Sequence, residues 1–581
     1  MKLLLFGLLW SFTLAQLRQQ PRQLGQEMLM NFQAAKTEFI TKLRADYGSD
    51  VYPEVFEDTR ATLGFDEPRS STIGRQAFGQ GDKAGDSWER VKRKFMIKVL
   101  RFQMSGKTSP FVWATAGDQV AAGRGNFFDQ QYTVVLEKSV KKVMETVGID
   151  FKTRPYGMGS LRSAPEIAAC AKAIFGEDVD MIAWDFTSSD GNQVWRLEYF
   201  AHRIARMQNR PSLLVLQSDD ARKPLVDHLT GLGMAILGMD TNYVMNHMMR
   251  MPDSSSGPPS GSELVKYFRC GSHIESGSPC SEYKFLQNGI CDNRGHQTSW
   301  HPGWKWHAFQ ANLYALFLIE VLEDAMATLA KRAGEDKSVI LKELEEQEAN
   351  EYTSFETKND FLHGDVWGEA FKSTGLSAHQ LADGQTYCHT ARLPAQARYM
   401  GYVTDVPFEE DFHDFDRGIS LKDGVGFQTN QMLLTYDDEA HSETCKERLQ
   451  IDYKDFFLAT GAYDGYQEMI VPNDSEMGAF GTLNKEGDYD DPLGILLVCG
   501  AGCHHDCPKE TLDMEAISNG LAAIKVNDDL VDHIVPYQDC YLLANKSGDL
   551  RWTANENHQY TIAIDVKTPE KYMRIGSVIV W

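Results

Sequence analysis

Four places in this 581-residue sequence gather side chains able to do chemistry. The first is Thr115-Ala-Gly-Asp-Gln-Val-Ala-Ala-Gly-Arg-Gly-Asn126, where Asp118 stands in a turn of small residues directly after an apolar run. An aspartate so placed bonds the N–H groups of its own turn or faces a ligand. The second is His301, next to Trp300 and followed by Trp304, Trp306 and His307. An imidazole titrates near neutrality and moves protons, and aromatic faces with a few polar groups suit sugar rings. The preferred reading is that at least two of these tryptophans are core. The third is Cys499-Gly-Ala-Gly-Cys503-His504-His505-Asp506-Cys507, a spacing of sulfur and nitrogen ligands that zinc uses. The fourth, the acidic stretch 408–416, can gather a cation but lacks EF-hand spacing and reads as a solvated loop.

The cysteine reading turns on compartment. Met1-Lys2 precedes an apolar stretch over residues 3–14 and then Ala15-Gln16, the pattern of a secretory signal and too short to span a bilayer. Residues 1–15 are therefore expected to be a cleaved signal and the protein to be secreted, extracellular or at the cell surface. Ten cysteines in an oxidising compartment favour disulfides over zinc, and no metal or other cofactor is expected. Asn473-Asp-Ser and Asn545-Lys-Ser are N-glycosylation sequons, meaningful on the secretory route. A formal charge of −24 argues against nucleic acid or an anionic membrane as partner.

Several elements must position these side chains. Residues 16–107 are polar, with helical patches at 27–46 and 86–103 and no catalytic signature. Strand-like runs at 111–115, 149–153, 179–184 and 212–216 then alternate with helical patterns at 131–147, 165–174 and 193–207. That rhythm predicts right-handed β-α-β units and a doubly wound, flavodoxin-like parallel sheet. Residues 226–238 offer a further helix and strand, and a last helix is expected near 305–332. The α/β domain is drawn over 108–350, with a Gly/Pro/Ser loop at 254–262. A mixed connecting region fills 351–452. Short strands at 494–499, 523–526, 541–543, 560–566 and 575–580 predict an all-β sandwich over 453–581.

In an open parallel sheet a ligand binds beyond the carboxyl ends of the strands, which is where Asp118 falls. Here the sequence resembles the SGNH (GDSL-type) hydrolases, large secreted type, whose first block is Gly-Asp-Ser and a small-residue turn. Gly117, Asp118, Ala122, Gly123, Asn126 and Phe127-Phe128 carry the likeness. Tyr156-Gly-Met-Gly-Ser160 follows as the second block, and Thr298-Ser-Trp-His301 before Pro-Gly-Trp-Lys305 as the last. The resemblance covers about 110–329. It implies an SGNH-type sheet, an oxyanion-hole glycine at Gly157 or Gly159, a catalytic histidine at His301, and Asn126, Trp300 and Trp304 beside the substrate.

Three departures weaken the chemistry. Gln119 occupies the nucleophile position, Trp184-Asp-Phe-Thr-Ser188 lacks the asparagine of the third block, and Thr298 replaces the aspartate of the last. A serine esterase needs an ionisable hydroxyl beside an oriented base and oxyanion donors, and a glutamine amide is no nucleophile. Substitutes would be Asp118 attacking, or Ser160 reaching His301 with Asp292 behind it. The reading reached is a catalytically impaired SGNH-like protein that binds glycan or an ester-bearing surface polymer. An active extracellular ester hydrolase with an unorthodox set and a structural matrix protein are the alternatives.

Overall fold

The computed structural model describes residues 27–48, 52, 56, 82–118, 120–123, 131–158, 161–216, 221–239, 304–356, 360–366, 386–390, 420–421, 426–428, 456–460, 467–472, 494–500, 511–512, 514–538, 540–554 and 559–580. Helix α1 (27–48) and α2 (Asp82–Ser105) precede β1 (Ser109–Gly117). Then follow α3 (Tyr132–Glu145), β2 (Ile149–Gly157), a π-helical turn (Ser163–Ile167), α4 (Ala171–Phe175) and β3 (Met181–Asp185). Next come α5 (Thr187–Asp190), α6 (Val194–Ala205), β4 (Ser212–Val215), α7 (Lys223–Leu232) and β5 (Ile236–Gly238). Two long helices, α8 (Trp304–Lys331) and α9 (Lys337–Glu356), complete this part.

The five strands form one parallel sheet in the order β2-β1-β3-β4-β5, the doubly wound flavodoxin-like arrangement. Burial explains the apolar runs: from Phe111 to Gly117 every residue of β1 is buried, as a strand covered on both faces requires. Alternate residues point to opposite sides. Phe111, Trp113, Met181 and Ala183 meet α1, α2, α3 and α8, while Val112, Ala114, Ile182 and Trp184 meet α4, α6 and α7.

Helix α8 is apolar on most of its circumference because it is enclosed, with α1, α2, α3 and the sheet around it. Helix α1 sets Phe32, Phe39 and Leu43 against the same core and ties Lys36 to Glu320 at 3.5 Å. In α2, Trp88, Val91, Phe95 and Val99 form one stripe facing inward. Its opposite side is basic and meets the acidic α9: Arg93 pairs with Glu348 at 2.9 Å and with Glu351, and Lys94 with Glu348 at 3.3 Å.

The remaining strands build two antiparallel layers. They are β6 (Tyr387–Thr390), β7 (Ser420–Leu421), β8 (Gly426–Gln428), β9 (Phe456–Thr460), β10 (Gln467–Pro472), β11 (Leu496–Gly500) and β12 (Thr511–Leu512). After these come β13 (Ala522–Val526), β14 (Asp529–Leu530), β15 (His533–Tyr537), β16 (Cys540–Ala544), β17 (Gln559–Val566) and β18 (Tyr572–Val580). One sheet runs β14-β13-β17-β10-β7. The other runs β15-β16-β11-β18-β9-β8, with β6 and β12 also on β18. Strands from within 387–428 thus join the same sheets as the C-terminal strands.

The larger sheet is buried on both faces. Leu496, Val498, Leu543, Val578 and Val580 fill the sandwich, while Leu497, Cys499, Leu542 and Ile579 pack with Phe200 and Ile204 of α6. Polar ties reinforce the seam. Arg196, fully buried, donates to the carbonyl of Ala164 and to Gln538 at 2.8 Å, and the Ser577 hydroxyl donates to Glu166. The Cys170–Cys388 disulfide joins α4's entry to β6, and Cys499–Cys540 links β11 to β16. Cys499 is therefore a disulfide partner, which removes it from any zinc set; Cys503, His504, His505 and Cys507 lie outside the described residues. The acidic stretch 408–416 lies outside them too. Among the described residues no helix is long and apolar enough to cross a membrane.

Candidate functional site

Strand order reverses between β1 and β3, the switch point at which doubly wound sheets form a ligand crevice. Register places Gly117 opposite Gly157 on one side and Asp185 on the other. The loop after β1 then folds back across these ends. A Cβ on Gly117 would lie 2.3 Å from the Ala121 Cβ, and one on Gly157 would lie 2.2 Å from the Ala122 nitrogen. Both positions must be glycine for the loop to lie flat on the sheet.

Asp118 fastens that loop. Its side chain is fully buried; Oδ1 accepts the Val120 N–H at 2.9 Å, and Oδ2 accepts the Ser189 N–H at 3.0 Å and the Ser188 hydroxyl. Its own N–H donates to the Asp185 carbonyl at 3.1 Å. One residue thereby joins the loop after β1 to the turn after β3. Burial pushes its carboxyl above the usual range, and the hydrogen bonds from Ser188, Val120 and Ser189 oppose that rise.

Two more buried acids stand close by. Asp185 accepts the Tyr132 hydroxyl at 2.8 Å and is pushed up to about 7, first by burial and then by the charge of Asp118. Asp190 accepts the Ser163 N–H at 3.1 Å and its hydroxyl, and burial lifts it to about 6. Burial also drives the Tyr132 phenol far above its ordinary value, so it keeps the proton that it donates to Asp185. Its ring stacks on His307 at 5.8 Å. The switch point therefore has a buried acidic floor, in which Asp185 and Asp190 hold their protons well above the usual carboxylate range. Ser188 at its edge is exposed, and the Gln131 amide and Thr187 hydroxyl are buried with no hydrogen-bond partner among the described residues.

Of the site residues expected from sequence, the structure brings Asp118 and Gly157 together at the ends of adjacent strands. Trp304 opens α8. Gln119, Asn126, Gly159, Ser160, Asp292, Trp300 and His301 lie outside the described residues. The reading of these tryptophans as core agrees with Trp306, and the candidate aromatic face loses His307 as well. Trp306 is 4% exposed and packs against Phe309, and His307 is completely enclosed against Tyr132, so neither offers a face to a sugar. Both point inward because α8 is surrounded on most sides. Sequence reasoning missed Asp185, Asp190, Ser188 and Tyr132. The signal was an aspartate closing an otherwise apolar strand, in the very block read only for its missing asparagine.

The fold and this crevice define a doubly wound α/β protein with a C-terminal antiparallel β-sandwich and a buried acid group at the topological switch point. No family model matches the sequence, and no curated protein matches it. Among solved structures, a two-domain esterase (CEX) active on acetylated mannans is similar, with 11% identity and a TM-score of 0.33. The match covers 83% of this chain and 95% of that one. The same esterase co-crystallised with mannopentaose gives 10% identity, 81% and 90% coverage, and a TM-score of 0.33. A likeness at this level carries no argument about chemistry.

Proposed function

We propose that this chain is a secreted SGNH-hydrolase-like protein that has lost orthodox serine catalysis and binds glycan or an ester-bearing surface polymer at the carboxyl ends of β1 and β3. The observation that carries the reading is the state of Asp118. Its two oxygens accept three hydrogen bonds inside the protein, so its lone pairs hold the loop and are not aimed at a substrate. The next residue is Gln119, which supplies no nucleophilic oxygen. The sheet and the glycines that seat the loop after β1 are kept, while Gln119 offers no attacking group, which supports the reading. Buried polar atoms at Gln131 and Thr187 that have no partner among the described residues support a polar occupant there, ligand or water.

Purified protein should leave an aryl acetate unhydrolysed above background yet bind polysaccharide on an array, with Trp304→Ala weakening that binding. Turnover abolished by His301→Ala would overturn the reading. One observation favours the active alternative: exposed Ser188 donates its hydroxyl to a buried carboxylate held above its usual pKa. Ser188→Ala separates the two readings, because only a hydrolase using that hydroxyl loses turnover with it.

A further inference from the structure

We propose that Asn545 is an N-glycosylation site, its side-chain Nδ2 taking a glycan from a lipid-linked oligosaccharide diphosphate while its Oδ1 keeps the surrounding loop closed. The proposal rests on the secretory reading above, but on a different part of the molecule. Asn545 opens the loop that follows β16, within the sequon Asn545-Lys546-Ser547, and residues 546–549 are exposed. Oδ1 accepts the N–H groups of Ser547 at 2.9 Å and Asp549 at 3.0 Å. The backbone closes on itself through Asn545 N–H to the Asp549 carbonyl at 2.9 Å and Gly548 N–H to the Asn545 carbonyl at 2.8 Å. Gly548, at φ +77°, makes that closure possible.

The amide's two ends thus have separate duties. Oδ1 is fully engaged, and Nδ2 donates to none of the described residues, so a substituent there breaks no hydrogen bond among them. Asn527 shows the contrast. Its Nδ2 donates to the Thr553 carbonyl at 2.7 Å and its Oδ1 accepts from Thr561, and the sequence after it is not a sequon. Past the Asn545 loop the chain turns inward again at Leu550 and Trp552, both buried, so a bulky polar group on the tip stays outside the sandwich core. In the transfer, the bond from Nδ2 to the sugar C1 forms as the C1–O bond to the diphosphate breaks. The diphosphate lipid leaves with the electron pair, and the amide loses one proton to the transferring enzyme.

The test is expression of the full chain in a eukaryotic host, once with its own N-terminus and once with residues 1–16 replaced by a proven secretory leader. Protein from the medium and from lysed cells is treated with a glycan-releasing amidase in heavy-oxygen water and read by peptide mass spectrometry. Asn545 should be converted to labelled aspartate. Ser547→Ala should abolish the conversion, and Asn545→Asp should abolish it while preserving the melting temperature, since a carboxylate accepts the same two N–H groups. Unlabelled Asn545 in protein carried by the proven leader overturns the proposal. Labelling with the proven leader but not with the native N-terminus overturns only the secretory reading.

Discussion

Asp118, Asp185 and Asp190 commit their oxygens to backbone N–H groups and hydroxyls, and this gives each a measurable signature. Replacing Asp118 by alanine leaves the Val120 and Ser189 N–H groups and the Ser188 hydroxyl without their acceptor. A loss of about 2–4 kcal/mol in urea unfolding is expected. Asp185 carries its signature in the pH dependence of stability. Its folded pKa of about 7 lies above the ordinary carboxylate value of 3.8, so folding holds its proton. The stabilisation is complete below about pH 4 and is lost as pH rises toward 7 and beyond. Asp185→Asn, which still accepts from Tyr132, should therefore gain on the wild type by roughly 4 kcal/mol at pH 8 and show little gain at pH 4. Melting curves at the two values decide it, and equal shifts at both would refute the assignment. Sequence located Asp118 because it follows an apolar run within a small-residue turn. Asp185 and Asp190 escaped because their partners, Tyr132 and Ser163, are distant in sequence and only folding brings them together.

Helix α9 poses a question of another size, since it covers α2 with few apolar anchors, Ile340 and Leu344 among the described residues. Charge supplies much of the rest, and burial grades its value. Arg101 meets Glu345 at 2.8 Å with side chains 52% and 44% exposed, where an ion pair contributes under about 1 kcal/mol. Arg93 is 8% exposed and bridges Glu348 and Glu351. Arg101→Ala should thus be nearly silent, whereas Arg93→Ala should cost about 2–4 kcal/mol by leaving two partly buried carboxylates without it. Hydrogen exchange localised to 337–356 would report the loss. The helix is legible in the acidic, helix-prone run 342–350; its docking is not, because the basic residues of α2 lie some 250 positions earlier. Periodicity read the parallel strands well, since a strand covered on both sides is a continuous apolar run. It read the short strands between 387 and 428 poorly, because two to four residues carry no period.

At the scale of the molecule, the two-faced sheet ties the sandwich to α6 through a shared core, a fully buried guanidinium and the Cys170–Cys388 bond. Calorimetry of the full chain should show one cooperative transition covering both parts. Two resolved transitions, one per part, would contradict a common core. Arg196→Met should shift that single transition downward without splitting it, by an amount equivalent to roughly 3 kcal/mol. Composition had divided the chain at the change from alternating helices and strands to strands alone. That change is real, but a shift in pattern does not show whether the pieces share an interior.

The shared interior also sets a timetable for synthesis. The apolar side of α6 leaves the ribosome with Ile204, yet its cover arrives with β11, β16 and β18, the nearest of them roughly 290 residues later. At ordinary rates of translation the newborn chain carries that bare strip for about 15 to 60 s. Throughout that interval the strip favours aggregation, and a ribosome that stops short of Leu496 releases a product that cannot complete its own core.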